Sequence, residues 1–376
     1  MKRLLLVGAG HAHAQVLLDL ATSPPAGAIE VTLISPAPLA PYSGMVPGWM
    51  AGHYRWDQCC IDFAALCRRA GATFNIDSAI GLDAASSRLR LAGGEQLAYD
   101  ILSLDIGSTS NPPASDLAQV LPMRPLSRLR ERWDALREAV CALPPGATHR
   151  IVVVGGGAAG AESLLATRRQ LALWAPHVVF DYVLATQGAA LLPALAASAA
   201  TKLAAHFEAR GIALVQGFEA ARLDAGGVVS RDGRTLPADV VLWATGAVAH
   251  AWPGGSGIAQ NNEGFIQVDS SLRSLSHPNI FAAGDCASLP NAVPKAGVFA
   301  VRMGPVLAHN LRAALDGRAL KAFAPQKRTL VLLGTGGEHA VAAWGPFSWQ
   351  GRWVWRWKRR IDLRFLGKYN GAPEQQ

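Results

Sequence analysis

The chain of 376 residues is 50% hydrophobic and 16% charged, which excludes a disordered protein and allows two or three domains with cores of their own. No uninterrupted apolar stretch reaches the ~18 residues of a membrane-spanning helix, and five cysteines without framework spacing fit a reducing cytoplasm. The formal net charge is +8, and residues 327–376 contain nine basic and three acidic residues, so +6 of it lies there. The basic C-terminal end could therefore attract nucleic acid or an anionic membrane surface.

The first predicted unit starts at the N-terminus. The aliphatic run Leu4–Val7 predicts a buried strand, followed by Gly8-x-Gly10 and a stretch that can be helical. Such an arrangement makes a pyrophosphate site, because amides at the helix start point at the anion and the missing Cβ lets it approach. The two basic residues before the run imitate a signal peptide, but the run is too short for one. A strand at 99–104 closes the unit and ends at Gly107.

The same order repeats about 150 residues later. The aliphatic run 151–154 leads into Gly155-x-Gly157-x-x-Gly160, and a strand that ends at Gly246 closes this second unit. One glycine motif is weak evidence, whereas a duplication of the whole order predicts two sheets of one topology. Two dinucleotides held by one chain suit an enzyme that passes electrons from one cofactor to another.

After Gly246 the chain does not start a third unit. It gives another buried strand, within 278–283, that ends in Gly284 and Asp285, and a helix is predicted to begin near Gly297. Paired prolines near residues 112 and 144 flank a helical stretch and mark the predicted linkers.

These strings resemble the two-dinucleotide-binding-domain flavoproteins of the pyridine nucleotide-disulfide oxidoreductase superfamily. The likeness runs from residue 1 to about 320 and includes both glycine motifs, Glu162, the Ala244-Thr245-Gly246 turn and the end of the strand at Asp285. The resemblance implies that the first motif binds FAD, that the second binds NAD(P)H, and that Asp285 holds the ribityl chain of the flavin. Asp285 could instead cap the helix that follows.

Within the superfamily the chain is most similar to the type II NADH dehydrogenases. A closer likeness, to the flavoprotein module fused to selenide, water dikinase, is carried by residues 10–13, 41–45 and 295–302. The resemblance implies an α/β fold with two Rossmann-like three-layer β/β/α dinucleotide-binding domains, the second inserted in the first, plus a short C-terminal region. We place the FAD-binding domain at 1–110 and 248–322, the NAD(P)H-binding domain at 111–247 and the C-terminal region at 323–376.

The predicted cofactor residues follow from these motifs and from the matching loop positions. For FAD they are Gly8, Gly10, His11, Ser35, Tyr42, Ser43, Gly107, Gly284, Asp285, Gly297 and Val298. For NAD(P)H they are Gly155, Gly157, Gly160, Glu162, Thr186 and Gly246.

Three positions depart from the fingerprint. His13 stands where the third glycine of the first motif should be, and Ser35 stands where an acid normally binds the adenosine ribose. In the second unit the matching position falls at Ala185 or Thr186, again without a carboxylate. The choice between NADH and NADPH therefore stays open.

A disulfide acceptor is not expected. Cys59 and Cys60 are adjacent, and the sequence has no pair with the spacing of a redox-active disulfide. By the resemblance, electrons then pass from NAD(P)H through FAD to a small acceptor, with a quinone favoured. We predict that Glu162 points toward the nicotinamide and flavin N5, and that Lys295 lies at the flavin edge, so that an acid and a lysine could manage protons. The alternative is an ordinary helix-start carboxylate and a surface lysine.

His11 and His13 could contact FAD phosphates or relay protons, or could simply cap or pack the first helix. No metal site is predicted, because no cluster has ligand spacing.

The C-terminal end contains five of the eleven tryptophans between Trp344 and Trp357. If 353–369 is a helix, the apolar residues Trp353, Trp357, Ile361 and Phe365 form one stripe, joined by Val354 and Tyr369. Tryptophans on an apolar face with arginines around them indicate an interfacial helix on an anionic bilayer. The alternative is a helix packed on the protein's own core or in a dimer interface.

The sequence thus predicts an FAD-dependent NAD(P)H dehydrogenase with a quinone or another small electron acceptor, in the cytoplasm or peripheral on the inner face of the membrane. Two alternatives remain. One is a soluble NAD(P)H-dependent flavin reductase linked to selenium or sulfur metabolism, and the other is a non-enzymatic flavoprotein redox sensor. No nucleic-acid partner is predicted, and the oligomeric state is left open, with a homodimer as one option.

Overall fold

The computed structural model describes residues 1–24, 27–117 and 119–371. Residues 25–26, 118 and 372–376 belong to the three predicted domains but lie outside the described residues.

The first part of the chain forms the strands and helices expected of the first unit, including a small antiparallel piece that the turn residues at 83–87 and 93–94 predict. Its strands are β1 (Lys2–Val7), β2 (Ile29–Ser35), β3 (Leu39–Pro41), β4 (Cys60–Asp62), β5 (Thr73–Ile76), β6 (Ala79–Asp83), β7 (Arg88–Leu91), β8 (Gln96–Ala98) and β9 (Ile101–Leu104). Its helices are α1 (His11–Thr22), α2 (Val46–Met50) and α3 (Phe63–Ala70). The run Leu4–Val7 is buried throughout, as expected for a parallel strand covered on both faces.

The second part repeats this arrangement. Its strands are β10 (Gln119–Pro122), β11 (Thr148–Val154), β12 (Val179–Ala185), β13 (Ile212–Val215), β14 (Ala220–Asp224), β15 (Gly227–Ser230), β16 (Thr235–Pro237) and β17 (Val240–Trp243). Its helices are α4 (Leu129–Cys141), α5 (Ala158–Trp174) and α6 (Ala197–Glu208).

The last part returns to the first unit and then adds a C-terminal sheet and helix. Its strands are β18 (Ile266–Gln267), β19 (Ile280–Ala282), β20 (Ala287–Ser288), β21 (Leu330–Gly334), β22 (Ala340–Trp344) and β23 (Phe347–Gly351). Its helices are α7 (Gly297–Asp316) and α8 (Arg352–Asn370).

The two parallel sheets have one topology. The first has the order β19-β9-β1-β2-β5 and the second the order β10-β17-β11-β12-β13. In both, the strand before the glycine turn pairs with the next long strand on one side and with the closing strand on the other. Each unit also has a three-stranded antiparallel sheet, β6-β7-β8 or β14-β15-β16. Since β19 joins the first sheet after the chain has completed the second, the predicted fold class is confirmed.

The C-terminal region packs against both units. Leu333, Val341 and Ala343 of the sheet β21-β22-β23 belong to the core of the second unit. Leu366 and Tyr369 of α8 belong to the core of the first. The tail therefore bridges the two units and can bring side chains to the place where they meet.

Helix α8 has one face packed on the protein's own core and another face that exposes tryptophans. Val354, Leu366 and Tyr369 are buried, so one face packs on the protein itself, whereas Trp353 and Trp357 are 54% and 37% exposed. The predicted apolar stripe is therefore divided between the core and the surface. Of the helices that the structure describes, none is long and apolar enough to cross a membrane.

Candidate functional site

A large open cavity of about 1510 Å³ is lined by residues from both units. This exceeds the ~300–1,000 Å³ of an ordinary small-molecule site, so more than one ligand can fit. The glycine turns after β1 and β11 both line it, as do the ends of β2 and β12. These are carboxyl ends of parallel strands, where α/β sheets bind their ligands.

Most of the predicted site residues line this cavity. From the first unit they are Gly8, Gly10, His11, Ser35, Ser43, Gly107, Asp285, Lys295 and Gly297, and from the second they are Gly155, Gly157, Glu162, Thr186 and Gly246. Residues that sequence motifs place in separate units are therefore brought to one cavity.

Four predicted residues lie elsewhere. Tyr42 stacks on Phe365 of α8 with ring centroids 4.3 Å apart, behind the cavity. The side chain of Val298 is 37% exposed, and Gly284 is a buried turn residue with φ of +69°. At Gly160 a Cβ would lie 2.1 Å from the Gly155 carbonyl oxygen, so this glycine lets α5 pack closely on the turn.

The start of α1 fits a pyrophosphate group. Gly8 has φ of +95°, and a Cβ there would lie 2.4 Å from the backbone oxygen of Asp105, so only glycine is accommodated. In the described part of the chain, the amides of Gly10 and His11 donate to no acceptor. Two free amides at a helix start, both lining the cavity, suit the phosphates of a dinucleotide.

Asp105 is a site residue that the sequence motifs did not reveal. It follows β9, lines the cavity, and its Oδ2 accepts hydrogen bonds from the amides of Ala12 at 2.8 Å and His13 at 3.1 Å. Burial, together with the negative charge of Asp285, raises the pKa of Asp105 to about 7. The signal available in the sequence was an acid at the end of a closing strand, two residues before Gly107.

His13 has a structural role. Its Nδ1 lies 2.7 Å from the Gly8 carbonyl oxygen and its Nε2 lies 2.8 Å from Ser103 Oγ, and the ring is fully buried. Burial lowers the pKa of His13 to about 4, so the ring is neutral. His11 lines the cavity beside Tyr42, and burial lowers its pKa to about 4 as well. Neither histidine carries a charge to a phosphate at neutral pH.

Asp285 is paired with a residue of the second unit. Arg124, which follows β10, contacts its Oδ2, and Ser108 Oγ donates to the same oxygen at 3.0 Å. The carboxylate thus faces the cavity and a cation, not a helix end. Arg124 lies between the two proline pairs that mark the predicted linkers, and no motif indicated its role.

Glu162 lies on α5 and is 9% exposed. Its Oε1 accepts a hydrogen bond from the Gly334 amide at 2.6 Å, and burial raises its pKa to about 7. Besides the large cavity, it lines a small one together with His53, Lys358 and Asp362. Glu162 therefore connects the dinucleotide cavity with a chamber formed under the C-terminal helix.

Lys358 and Asp362 of α8 form a buried ion pair, with Nζ 2.9 Å from Oδ2. Nζ also donates to the Gly44 carbonyl oxygen at 2.6 Å. Burial alone would lower the pKa of Lys358, but the charges of Glu162 and Asp362 outweigh it and raise that pKa. One ammonium among two buried carboxyl groups favours retention of one proton near neutrality, which agrees with the raised pKa of Glu162.

Lys295 lines the large cavity, and its place at the flavin edge stays a prediction. Its Nζ donates to the Ala287 carbonyl oxygen and lies 4.0 Å from the centre of the Phe265 ring. Burial lowers its pKa. The lysine whose charge acts on Glu162 is Lys358, not Lys295. The C-terminal helix, which the sequence assigned to a membrane or a core, therefore contributes the cation.

The cysteines do not form a reactive pair. Among the described residues all five are free thiols, and only Cys141 is exposed. Burial raises the pKa of Cys59, Cys60, Cys67 and Cys286 to about 12, so they are protonated and poorly nucleophilic. No group of three or more potential ligands that could hold a metal ion occurs in the described ranges.

The family model of the pyridine nucleotide-disulphide oxidoreductases matches residues 2–304. The chain belongs to this family. The predicted superfamily and the predicted cofactors, FAD and NAD(P)H, are thereby confirmed, and the chain is an NAD(P)H-dependent flavoprotein oxidoreductase.

Relatives within the family are distant. The ferredoxin–NAD(+) reductase component of the biphenyl dioxygenase system of Paraburkholderia xenovorans is 33% identical over 232 residues, 58% of this chain and 52% of that protein. The sulfide:quinone oxidoreductase of Aquifex aeolicus superposes with a TM-score of 0.80 at 17% identity, over 99% of this chain and 92% of that one. NDH2 of Plasmodium falciparum gives 0.78 at 14% identity over 100% of both. These two structures show the shared fold.

Proposed function

We propose that this oxidoreductase passes electrons from NAD(P)H through FAD to a quinone. The observation that carries the proposal is the buried cluster of Glu162, Lys358 and Asp362, one member of which lines the dinucleotide cavity. Reduction of a quinone to a quinol consumes two electrons and two protons. The hydride of NAD(P)H is equivalent to two electrons and one proton, so the second proton must come from elsewhere. A group that holds a proton near pH 7 beside the cavity matches that need.

The chain's residues have distinct tasks in this reaction. The amides at the start of α1 bind the FAD phosphates, and those at the start of α5 bind the NAD(P)H phosphates. FAD, when bound, supplies the two-electron carrier between nucleotide and acceptor. Glu162 holds a proton that it can release toward the cavity, and the Lys358 ammonium stabilises the carboxylate that remains. The small chamber beside them, of about 20 Å³, has room for a water molecule that can return the proton.

A protein acceptor is the main competitor, because one relative is named as a ferredoxin reductase. Ferredoxins take single electrons and no protons, so a buried proton donor has no task in that reaction. Disulfide acceptors do not fit, since the buried thiols are protonated. The titratable cluster therefore favours a quinone over both.

We also propose that the protein docks peripherally on an anionic bilayer. The docking surface, which we call the aromatic patch, consists of Phe347, Trp349, Trp353, Trp357 and Ile361. These side chains are between 37% and 54% exposed. Phe347 stacks on Trp349, and Trp353 on Trp357, on the hairpin β22-β23 and on α8. Arginines of α8 flank the patch, which suits headgroups above an apolar layer. A quinone dissolved in such a layer would lie near the chamber under α8.

Docking can be tested by sedimentation with vesicles of phosphatidylglycerol or of phosphatidylcholine. We expect binding to the anionic vesicles that is weakened at high salt and lost in a Trp353→Ser/Trp357→Ser variant. A matched Leu173→Ser variant, changed at an exposed leucine of α5, serves as the control. Equal binding by the double variant, or none by the native protein, refutes docking through this patch.

The acceptor is tested with Glu162→Gln in anaerobic experiments. NADH or NADPH should bleach the flavin band of both proteins, and ferricyanide, which takes electrons without protons, should restore it at equal rates. A short-chain quinone should restore the flavin band of the variant at least ~100-fold more slowly than that of the native protein, as expected on loss of a general acid. Equal quinone rates contradict the proposal, and a flavin that neither nucleotide reduces favours the redox sensor. Glu131→Gln on the surface of α4 is the control.

A further inference from the structure

Asp105 occupies a position that conflicts with its charge. Its side chain is 3% exposed, and its Oδ2 accepts from two amides at the start of α1. A Cβ at Gly10 would meet its Cγ at 2.1 Å, and a Cβ at Gly284 would meet its Oδ1 at 2.5 Å, so the carboxyl group is enclosed between two glycines. It also lines the cavity beside Gly10 and His11, whose free amides suit a pyrophosphate. A carboxylate and a pyrophosphate would therefore lie side by side.

The surroundings offer Asp105 little compensation. In the described chain no basic side chain forms an ion pair with it, and Arg124, which lines the same cavity, pairs with Asp285. Asp285 itself adds a second negative charge, and the other facing groups, the rings of His11 and His13 and the Cys286 thiol, are neutral at pH 7. Only the amides and dipole of α1 stabilise the charge, and the pyrophosphate uses the same helix start.

We propose that Asp105 binds the flavin pyrophosphate as a neutral carboxylic acid, keeping its amide contacts through one oxygen and offering its proton to the phosphates, so that FAD binding takes up a proton. The proton comes from solvent and returns to it when FAD dissociates, while the flavin is chemically unchanged. This inference rests on the placement of FAD at the α1 end of the cavity.

The proposed coupling of FAD binding to protonation of Asp105 predicts how FAD affinity changes with pH. Free Asp105 loses its proton as the pH rises through about 7, whereas the pyrophosphate keeps its charge. The dissociation constant of FAD should then be constant at low pH and rise up to about tenfold per unit above pH 7. His11, His13 and Cys286 do not titrate between pH 6 and 9, because their pKa values are about 4, 4 and 12. His250, Glu162 and Lys295 also line the cavity, so a variant of Asp105 is required to assign the slope to Asp105.

The experiment titrates the deflavinated full-length protein with FAD and follows flavin fluorescence at pH 6, 7, 8 and 9. Asp105→Asn keeps an acceptor for the two amides and an N–H donor for a phosphate but cannot ionise. We expect it to bind FAD with an affinity that varies less than about threefold over this range, while the native protein weakens more than tenfold. Asp100→Asn, an exposed acid just before β9, should behave like the native protein.

A second measurement needs no variant. Calorimetry of FAD binding to the native protein at pH 8, in buffers of different ionisation enthalpy, should report uptake of close to one proton. A flat native pH profile, an unchanged slope in Asp105→Asn, or no proton uptake overturns the inference while FAD binding and flavin reduction stand. Failure of the native protein to bind FAD at any pH instead overturns the placement of the cofactor.

Discussion

Lys358 is expected to hold the C-terminal helix to the small chamber that Glu162 shares with the large cavity. Its ammonium is the cation between Glu162 and Asp362, and the side chains of the Lys358–Asp362 pair are 12% and 7% exposed. Replacing it with methionine keeps an unbranched side chain that is one atom shorter, but leaves two buried carboxyl groups without a cation. Because little solvent reaches the pair, screening does not remove the penalty, and loss of one partner of a buried pair costs about 3–5 kcal/mol.

That free-energy cost can be converted into a decrease in the melting temperature. An unfolding entropy of ~2.1 cal/mol/K per residue over the 376 residues amounts to roughly 0.8 kcal/mol/K, so 3–5 kcal/mol lowers Tm by roughly 4–6 °C. Burial raises the pKa of both Glu162 and Asp362, whereas the Lys358 ammonium lowers both pKa values. Removal of the ammonium therefore raises the two pKa values further. Acids whose pKa is higher in the folded state favour folding at low pH and lose that advantage as the pH rises toward the folded value. The deficit of Lys358→Met should therefore be small near pH 5 and largest above pH 7.

The assay is thermal unfolding of four proteins between pH 5 and 8.5: native, Lys358→Met, Lys358→Met/Asp362→Asn and Lys368→Met. Lys368 lies on the same helix, where its ammonium donates to Gln15 and lies over the Tyr369 ring, and its replacement should change Tm by about 1 °C or less. The double variant should recover part of the loss, since it removes one of the two stranded carboxyl groups. The reasoning is refuted if Lys358→Met loses no more than the control, or if its deficit does not grow with pH.

Further predictions concern the nucleotide and the thiols. Gly160→Ala places a Cβ 2.1 Å from a carbonyl oxygen and should abolish flavin reduction by NAD(P)H in a stopped-flow assay while the bound flavin spectrum is retained. Glu219 lines the cavity next to Phe218, which is hydrogen-bonded to Thr186, and can replace the missing ribose carboxylate. Glu219→Ser should therefore shift the ratio of kcat/KM for NADH over NADPH at least about tenfold toward NADPH, which is 1.4 kcal/mol. Ellman's reagent should find one fast-reacting thiol per folded chain, at Cys141, and a Cys141→Ser variant should show none.

Local patterns explain why the two units were predictable. A strand, glycine turn and helix have their signal within about 30 residues, and the turns after β1 and β11 lie where the motifs placed them. Asp105 was not predictable in the same way. Its neighbour Gly107 marks the end of a strand, but only the fold brings the carboxyl group to the amides of α1.

The C-terminal helix shows a different limit of the sequence. Its periodicity predicted a helix over 353–369, and the structure has one over Arg352–Asn370. The pattern could not select the buried face, because the predicted stripe contains the exposed Trp353 and Trp357 as well as the buried Val354 and Tyr369. The polar pair Lys358 and Asp362 lies within the buried face. Hydrophobic periodicity predicts that such charged residues are solvent-exposed. The residues that pack on this helix lie in the first unit and in the C-terminal sheet, and the sequence alone does not show that they come together.

Asp105 and Glu162 give the site two acids that titrate in the same range, and their effects can be separated. Asp105 follows a strand of the first unit at the start of α1, whereas Glu162 lies on α5 of the second unit beside the tail helix. If each acts as inferred, Asp105→Asn should remove the pH dependence of FAD affinity and leave that of quinone reduction, and Glu162→Gln should do the reverse. Sites without shared partners usually give additive effects, so the double variant should lose both dependences and nothing more. A single variant that abolished both would mean that one acid controls the whole cavity, and the division between cofactor binding and proton supply would be wrong.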